Sequence, residues 1–406
     1  MTAVTQGTTL APSPSPRDRV RDFAEQHRST SVIVSMLIIT LLMIVLPKIP
    51  PFSEILSEQS WYSSFANAGV FVLLAMGLNI VIGMAGLLDL GYAAFYAIGA
   101  YVYAYSNSPY SGVDLPFLPM LVVGAAVAAV FGIALGAPTL RLRGDYLAIM
   151  TLGFGEIVPI MFLNLEPWTE GTNGIGGIFR PEPLPGLGEF TALTQFAYFV
   201  LVAGIVAIAM TLLYRLQDSR VGRAWNAIRE DELAAAANGI NTVITKLLAF
   251  ALGATTAGLA GVFNASKLTI VSPDQFLFTV SFTVLAMVIL GGMGNLWGVA
   301  AGAFIVYMIQ VVVLKQLNAV SEALAIPIIS EINFTDYQFL LFGVALVLMM
   351  LFRPEGLFPS QRRRRELHVA DEFGDDPAIV GAMGEAPDAS ELLHDPAGPD
   401  GHGTSR

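Results

Sequence analysis

The chain has 406 residues, 54% of them hydrophobic and only 13% charged, which is too little polar surface for a water-soluble protein of this length. Its apolar residues come in unbroken runs near the ~20 residues that carry a helix across a bilayer, not in the alternating strands of a membrane barrel, so the expected class is an all-α polytopic membrane protein. The net charge of −11 is concentrated in residues 366–406, which hold ten acids and one arginine, and the absence of cysteine excludes disulfides and thiolate catalysis.

Residues 1–30 are polar and are read as a disordered cytoplasmic segment, too polar to be the apolar centre of a signal peptide. The first apolar run, 31–47, is followed by a proline-rich stretch ending at Pro51 and not by a small-residue cleavage site, so it is read as a retained helix. About ten spans are expected in all, near 31–47, 64–83, 90–106, 118–138, 146–164, 192–214, 247–266, 276–292, 298–314 and 338–352. Together they make a membrane domain of residues 31–358. Residues 359–406 form a basic, then acidic, tail that reads as disordered. With the N-terminus in the cytoplasm, 17 of the 21 lysines and arginines fall in cytoplasmic segments; only Lys48, Arg180, Lys267 and Lys315 fall outside. Such a bias fixes both termini on the cytoplasmic side of a plasma (inner) membrane and favours an even number of spans.

Two glycine-rich blocks interrupt the apolar pattern. The first holds Gly77, Gly83, Gly86, Gly91 and Gly99; the second holds Gly291, Gly292, Gly294, Gly298 and Gly302. Either block can be close helix packing or broken helix lining a path, and on the second reading Gly83, Gly86, Gly291, Gly292 and Gly294 line the translocation route. Asp89, beside the first block, is expected to cap the helix that follows. Glu156 stands clearly inside a predicted span, where a carboxylate faces a cavity or a partner by default. It is assigned to the same route, with a place near the helix end as the plainer alternative. The segment 169–175 has turn chemistry. Its Thr172, Asn173 and Gly174 either form an ordinary turn or frame the outer mouth.

The loop 215–246 is the largest and most basic internal cytoplasmic segment. Residues 223–238 contain neither Gly nor Pro and have high helix propensity, so one helix is expected there. Gly239 follows as a left-handed C-terminal cap. Trp225, Ile228 and Leu233, with the alanines, offer a shallow apolar face. The helix is read either as resting on lipid headgroups or as docking a cytoplasmic partner, where small alanines permit close approach and a charged rim sets the register.

The stretches 77–101 (GLNIVIGMAGLLDLGYAAFYAIGAY), 140–157, 171–175, 272–303 and the closing RPEGLF of 353–358 resemble, in that order, the branched-chain amino acid permease family of ABC importers, LivM-type. The likeness runs over roughly residues 60–360. The resemblance implies that Arg223, Trp225, Ile228, Arg229, Glu232, Ala234, Ala235 and Gly239 belong to an ATPase-coupling loop. It also implies a homologous LivH-type permease subunit, two LivG/LivF-type ATPase subunits and an extracytoplasmic substrate-binding protein as partners. Permeases for urea and short amides look similar, so they remain an alternative substrate class. An ion-coupled secondary transporter is the alternative of a different class, but it would want more ionisable groups inside the membrane. No phosphate loop of the GxxxxGK[ST] kind occurs, so ATP is expected to be used by partner subunits and no cofactor by this chain. No enzyme activity is expected: His27 is the sole histidine before His368, and His368, His394 and His402 are scattered in the tail, so neither histidine catalysis nor a metal site is expected. Nothing in the charge pattern suggests nucleic acid.

Overall fold

The computed structural model describes residues 28–50, 52–139, 145–314, 316–318, 337–353 and 356–358, all within one unit, Met1–Pro359. The N-terminal segment before residue 28, the arginines 141 and 143 and the tail from residue 359 lie outside the described residues. Helices dominate because a backbone in hydrocarbon must satisfy its own hydrogen bonds. In chain order they are α1 (Arg28–Val45), α2 (Glu58–Asn79), α3 (Ala93–Ser106), α4 (Phe117–Thr139), α5 (Asp145–Asn164), α6 (Gln195–Gln217), α7 (Arg220–Glu230), α8 (Glu232–Ala237), α9 (Thr242–Leu268), α10 (Phe278–Gly291), α11 (Leu296–Met308) and α12 (Gln338–Phe352). Eight helical stretches among the described residues are long and apolar enough to cross a membrane. The other two expected spans are the shorter helices α3 and α12, of 14 and 15 residues.

Helix α9 is the spine of the bundle, packed along much of its length against α3 and α4. Glycine makes that approach possible. A Cβ on Gly99 of α3 would lie 2.4 Å from the Gly258 carbonyl oxygen of α9, and one on Gly261 would lie 2.3 Å from the Tyr96 carbonyl oxygen. The first glycine block therefore does serve close packing here, as small residues do between membrane helices. Aromatic side chains fill the wider gaps, with Phe199 of α6 set against both Tyr62 and Phe65 of α2.

The two ends of α9 carry different structures. Past its C-terminus, β2 (Ile270–Val271) pairs antiparallel with β1 (Ile175–Gly176), with Ile175 opposite Val271. Before its N-terminus stand α7 and α8, and Asn241 caps α9 by accepting the Ile244 N–H at 3.1 Å. At about 1.5 Å per residue the 27 residues of α9 span about 40 Å, so the strand pair and the charged helices sit on opposite sides of the bundle.

Three expectations need correction. The single helix over 223–238 is two helices, broken at Asp231, whose backbone is extended (φ −153°, ψ 110°). The Asp231 carboxylate accepts the N–H groups of Leu233 and Ala234 at 2.8 and 3.0 Å. This N-cap outweighs the helix propensity of its neighbours, since capping is worth about 1 kcal/mol. Asp89 does not cap α3: its Oδ1 accepts the Gly91 N–H at 2.9 Å in a local turn, while the Ala93 N–H at the start of α3 goes to the Ser281 hydroxyl. Leu233 is 70% exposed, so it does not share the apolar face of Trp225 and Ile228.

Candidate functional site

The site is assembled at the charged end. Ser219 starts α7 by accepting the N–H groups of Val221 and Gly222. Gly222 lets the helix turn back against α6, because a Cβ there would lie 2.2 Å from the Gln217 carbonyl oxygen. The apolar spacing of Trp225 and Ile228 then seats α7 on the bundle. Trp225 is completely buried and donates its indole N–H to the Thr245 carbonyl at 2.7 Å. Such a buried, hydrogen-bonded tryptophan is a firm anchor. Arg223 stays exposed and bonds the Asp218 carbonyl at 2.8 Å.

Helix α8 hangs from this anchor. Ala235 is buried, and Glu232 forms an ion pair with Lys246 at 2.5 Å. Lys246 lies in the second turn of α9 with its side chain only 9% exposed, so Glu232 neutralises a cation that would otherwise be buried alone. Gly239 ends the helix with φ +83°, and the Ile240 N–H reaches back to the Ala235 carbonyl. The left-handed cap expected at Gly239 is therefore present. Leu233, Ala234, Ala236, Ala237 and Asn238 are all exposed, which leaves one leucine set in a shelf of alanines.

Above α7 the C-terminal end of α2 is rewound. Residues Ile80–Met84 form a π-helix, a form found mostly as single turns, frequently at functional sites. Arg229 of α7 donates from its guanidinium to the Gly83 carbonyl, and its aliphatic stem covers Gly86, whose φ is +71°. The second glycine block meets the first at the same place. Gly294, at φ +84°, donates its N–H to Asn79 Oδ1 at 2.8 Å, and a Cβ on Gly83 would lie 2.7 Å from that nitrogen. Gln217, at the end of α6, donates to the Gly294 carbonyl at 3.4 Å. The closing motif seals the corner: Leu357 N–H bonds the Leu290 carbonyl at 2.8 Å, Phe358 N–H bonds Gly291, and Gly356 packs on Gly292. Gly83, Gly86, Gly291, Gly292, Gly294 and Arg229 thus converge on one knot.

Asp89 lies just beyond this knot, in the connection from α2 to α3. It is 2% exposed, and burial pushes its carboxyl up to about 6.

The remaining expected residues lie elsewhere. Glu156 is on α5, exposed on the same outward face as Ile149, Ile157 and Ile160, and does not join the glycine knot. At the opposite end of the bundle, Thr172 and Asn173 are exposed in the turn before β1. Gly174, at φ +70°, permits the strand pairing, since a Cβ there would lie 2.4 Å from the Val271 carbonyl oxygen. Among the described residues no group of three or more His, Cys, Asp or Glu could hold a metal ion. Sequence reasoning missed Asn79, Gln217 and Lys246. Lys246 carried a usable signal as a charged residue at the edge of an apolar run, and Asn79 another as an amide inside one. Gln217 carried none.

The family model described as "Branched-chain amino acid transport system / permease component" matches residues 62–351. The high-affinity branched-chain amino acid transport system permease protein LivM of Escherichia coli (strain K12) is 40% identical over 320 residues, covering 73% of this chain and 70% of that protein. LivM of Salmonella typhimurium is 39% identical over 328 residues, covering 75% and 72%. The permease protein LivH of Salmonella typhimurium is 26% identical over 309 residues, covering 74% of this chain and 94% of that protein. No solved structure matches. The chain is a multi-pass membrane protein, and it belongs to the branched-chain amino acid transport system permease family.

Proposed function

We propose that this permease is the membrane-spanning subunit of an ABC importer for branched-chain or related hydrophobic amino acids, working by alternating access in the plasma (inner) membrane with both termini in the cytoplasm. A LivH-type permease completes the pore. Two LivG/LivF-type ATPase subunits supply ATP turnover, and an extracytoplasmic binding protein delivers substrate. The observation that carries the reading is the route from an exposed docking helix to a broken membrane helix. The α8 shelf is free to enter a groove on an ATPase. Movement of α8 is transmitted through the Glu232–Lys246 pair to α9 and through Arg229 to the π-turn of α2. At the far end, the turn at Thr172–Gly174 and the strand pair frame the mouth that meets the binding protein. Glu156, exposed among apolar neighbours on α5, fits a face turned to the partner permease or to the path better than one turned to lipid.

The test is reconstitution of the four kinds of subunit in vesicles with radiolabelled leucine. The expected result is accumulation that needs both internal ATP and the binding protein. Accumulation of urea or acetamide in place of leucine would move the substrate class. Accumulation driven by an ion gradient without the ATPases would overturn the importer reading.

A further inference from the structure

The outer half of the bundle contains a charge that the coupling route does not use. Lys267 sits one residue before the end of α9, largely buried, and its ammonium reaches across to α2. Its three donors go to the Ser63 carbonyl at 3.1 Å, the Ser63 hydroxyl at 3.3 Å and Asn67 Oδ1 at 2.5 Å. All three acceptors are neutral. Among the described residues no carboxylate pairs with Lys267, in contrast to Lys246 and Lys48, which pair with Glu232 and Glu58. Tyr307 of α11 lies against the same Asn67 side chain. Removing an ammonium from water without a counter-charge is costly, and an ionisable group held this way in a membrane bundle marks a substrate or ion route by default.

The place fits the arrival of a zwitterion. Lys267 lies three and four residues before the strand β2 that closes on the Thr172–Gly174 turn, so it stands just inside the proposed mouth. The large cavity near the same end, about 430 Å³, does not compete for that role. It is lined by Tyr101, Phe131, Met161, Phe162 and Trp168 among others, with no charged side chain. It is lined mostly by apolar groups, and the hydroxyls it has, such as those of Tyr101 and Ser106, are neutral and bring no counter-charge to a carboxylate.

We propose that Lys267 is a substrate-binding residue at the extracytoplasmic entrance, where its ammonium receives the α-carboxylate of the incoming amino acid in place of one of its neutral acceptors, beside Ser63 and Asn67. The proposal rests on the importer reading above and adds a specificity: a free carboxylate is required at this step. Arginine can serve there and glutamine cannot, because the recognition is of charge.

The experiment uses the complete importer in vesicles. Acetylation by a water-soluble amine-reactive ester is followed by mass spectrometry at Lys267, with Lys48, whose side chain is 59% exposed, as the internal reference. Leucine-loaded binding protein should slow acetylation of Lys267 several-fold and leave Lys48 unchanged, whereas ligand-free binding protein should not. In parallel, Lys267→Gln should raise the concentration of loaded binding protein giving half-maximal uptake by roughly ten- to a hundredfold, the loss expected for a charge-assisted hydrogen bond. Lys267→Arg should stay close to wild type. Equal protection by ligand-free and loaded binding protein would mean simple occlusion and would overturn the proposal. So would equal loss of uptake in both variants without leucine protection, since that describes a clamp between α2 and α9. A variant that fails to assemble leaves the protection experiment on the wild-type complex to decide. A wild-type complex that accumulates no leucine would sink the importer reading as well, so the two failures are told apart.

Discussion

The docking role of α8 can be tested without disturbing the bundle by truncating Leu233 to alanine. The side chain is 70% exposed, so the permease itself should not notice the change. Removing three carbons at about 0.8 kcal/mol per buried group, scaled by that exposure, removes about 1.5–2 kcal/mol from any interface that covers the residue. Roughly ten- to thirtyfold weaker ATPase binding follows, since about 1.4 kcal/mol is tenfold. The assay is titration of ATPase subunits onto immobilised permease complex in detergent micelles, with thermal melting of the permease alone as the fold control. Unchanged affinity with an unchanged melt would refute the docking argument and leave α8 as a helix resting on lipid headgroups. Leu233 is a cleaner probe than Glu232, because any change at Glu232 also strands Lys246 in a buried position.

Arg229→Gln should leave ATPase binding intact but lower the leucine moved per ATP hydrolysed, because it weakens the tie between α7 and the Gly83 carbonyl by about 1.5–3 kcal/mol; an unchanged ratio of uptake to hydrolysis would contradict the proposed route. Asp89→Asn should raise the melting temperature at pH 7.5. Burial lifts the carboxyl from 3.8 to about 6, so the stability of the wild type is full below pH 4 and falls as pH rises through 6, by at most about 3 kcal/mol, a fall the amide abolishes. A stabilisation that persisted at pH 4 would show that charge is not its origin. Reporter fusions after residues 110 and 180 should report the extracytoplasmic side and one after residue 230 the cytoplasm; a reversed signal at 230 would overturn the assigned sidedness.

How much of this was legible depends on the range of the interaction. Membrane helices follow from composition over one window, so their positions came through to within a few residues. The left-handed cap at Gly239 came through because glycine after a helical run has a local cause. The break at Asp231 was hidden by propensity summed over its neighbours, although an N-cap residue two and three places before Leu233 and Ala234 was a readable sign. The face of α5 that carries Glu156 could not be read, because a helix apolar all round has no periodicity to orient it. The glycine knot was out of reach for another reason. Asn79 and Gly294 are 215 positions apart, and no pattern in either stretch names the other.

The spine helix has a mechanical consequence. Because α9 begins at the charged helices and ends at the strand pair, it is a single rod joining the two faces of the membrane, and a rod of about 40 Å tilted by about 10° carries its far end about 7 Å sideways. The face it turns toward α3 and α4 carries Gly258 and Gly261, where backbone lies on backbone and few side chains stand between. Such a surface resists separation yet offers little friction to sliding, as a smooth bearing does. A single methyl group set into it, as at Gly258, would act as a wedge that stops the stroke.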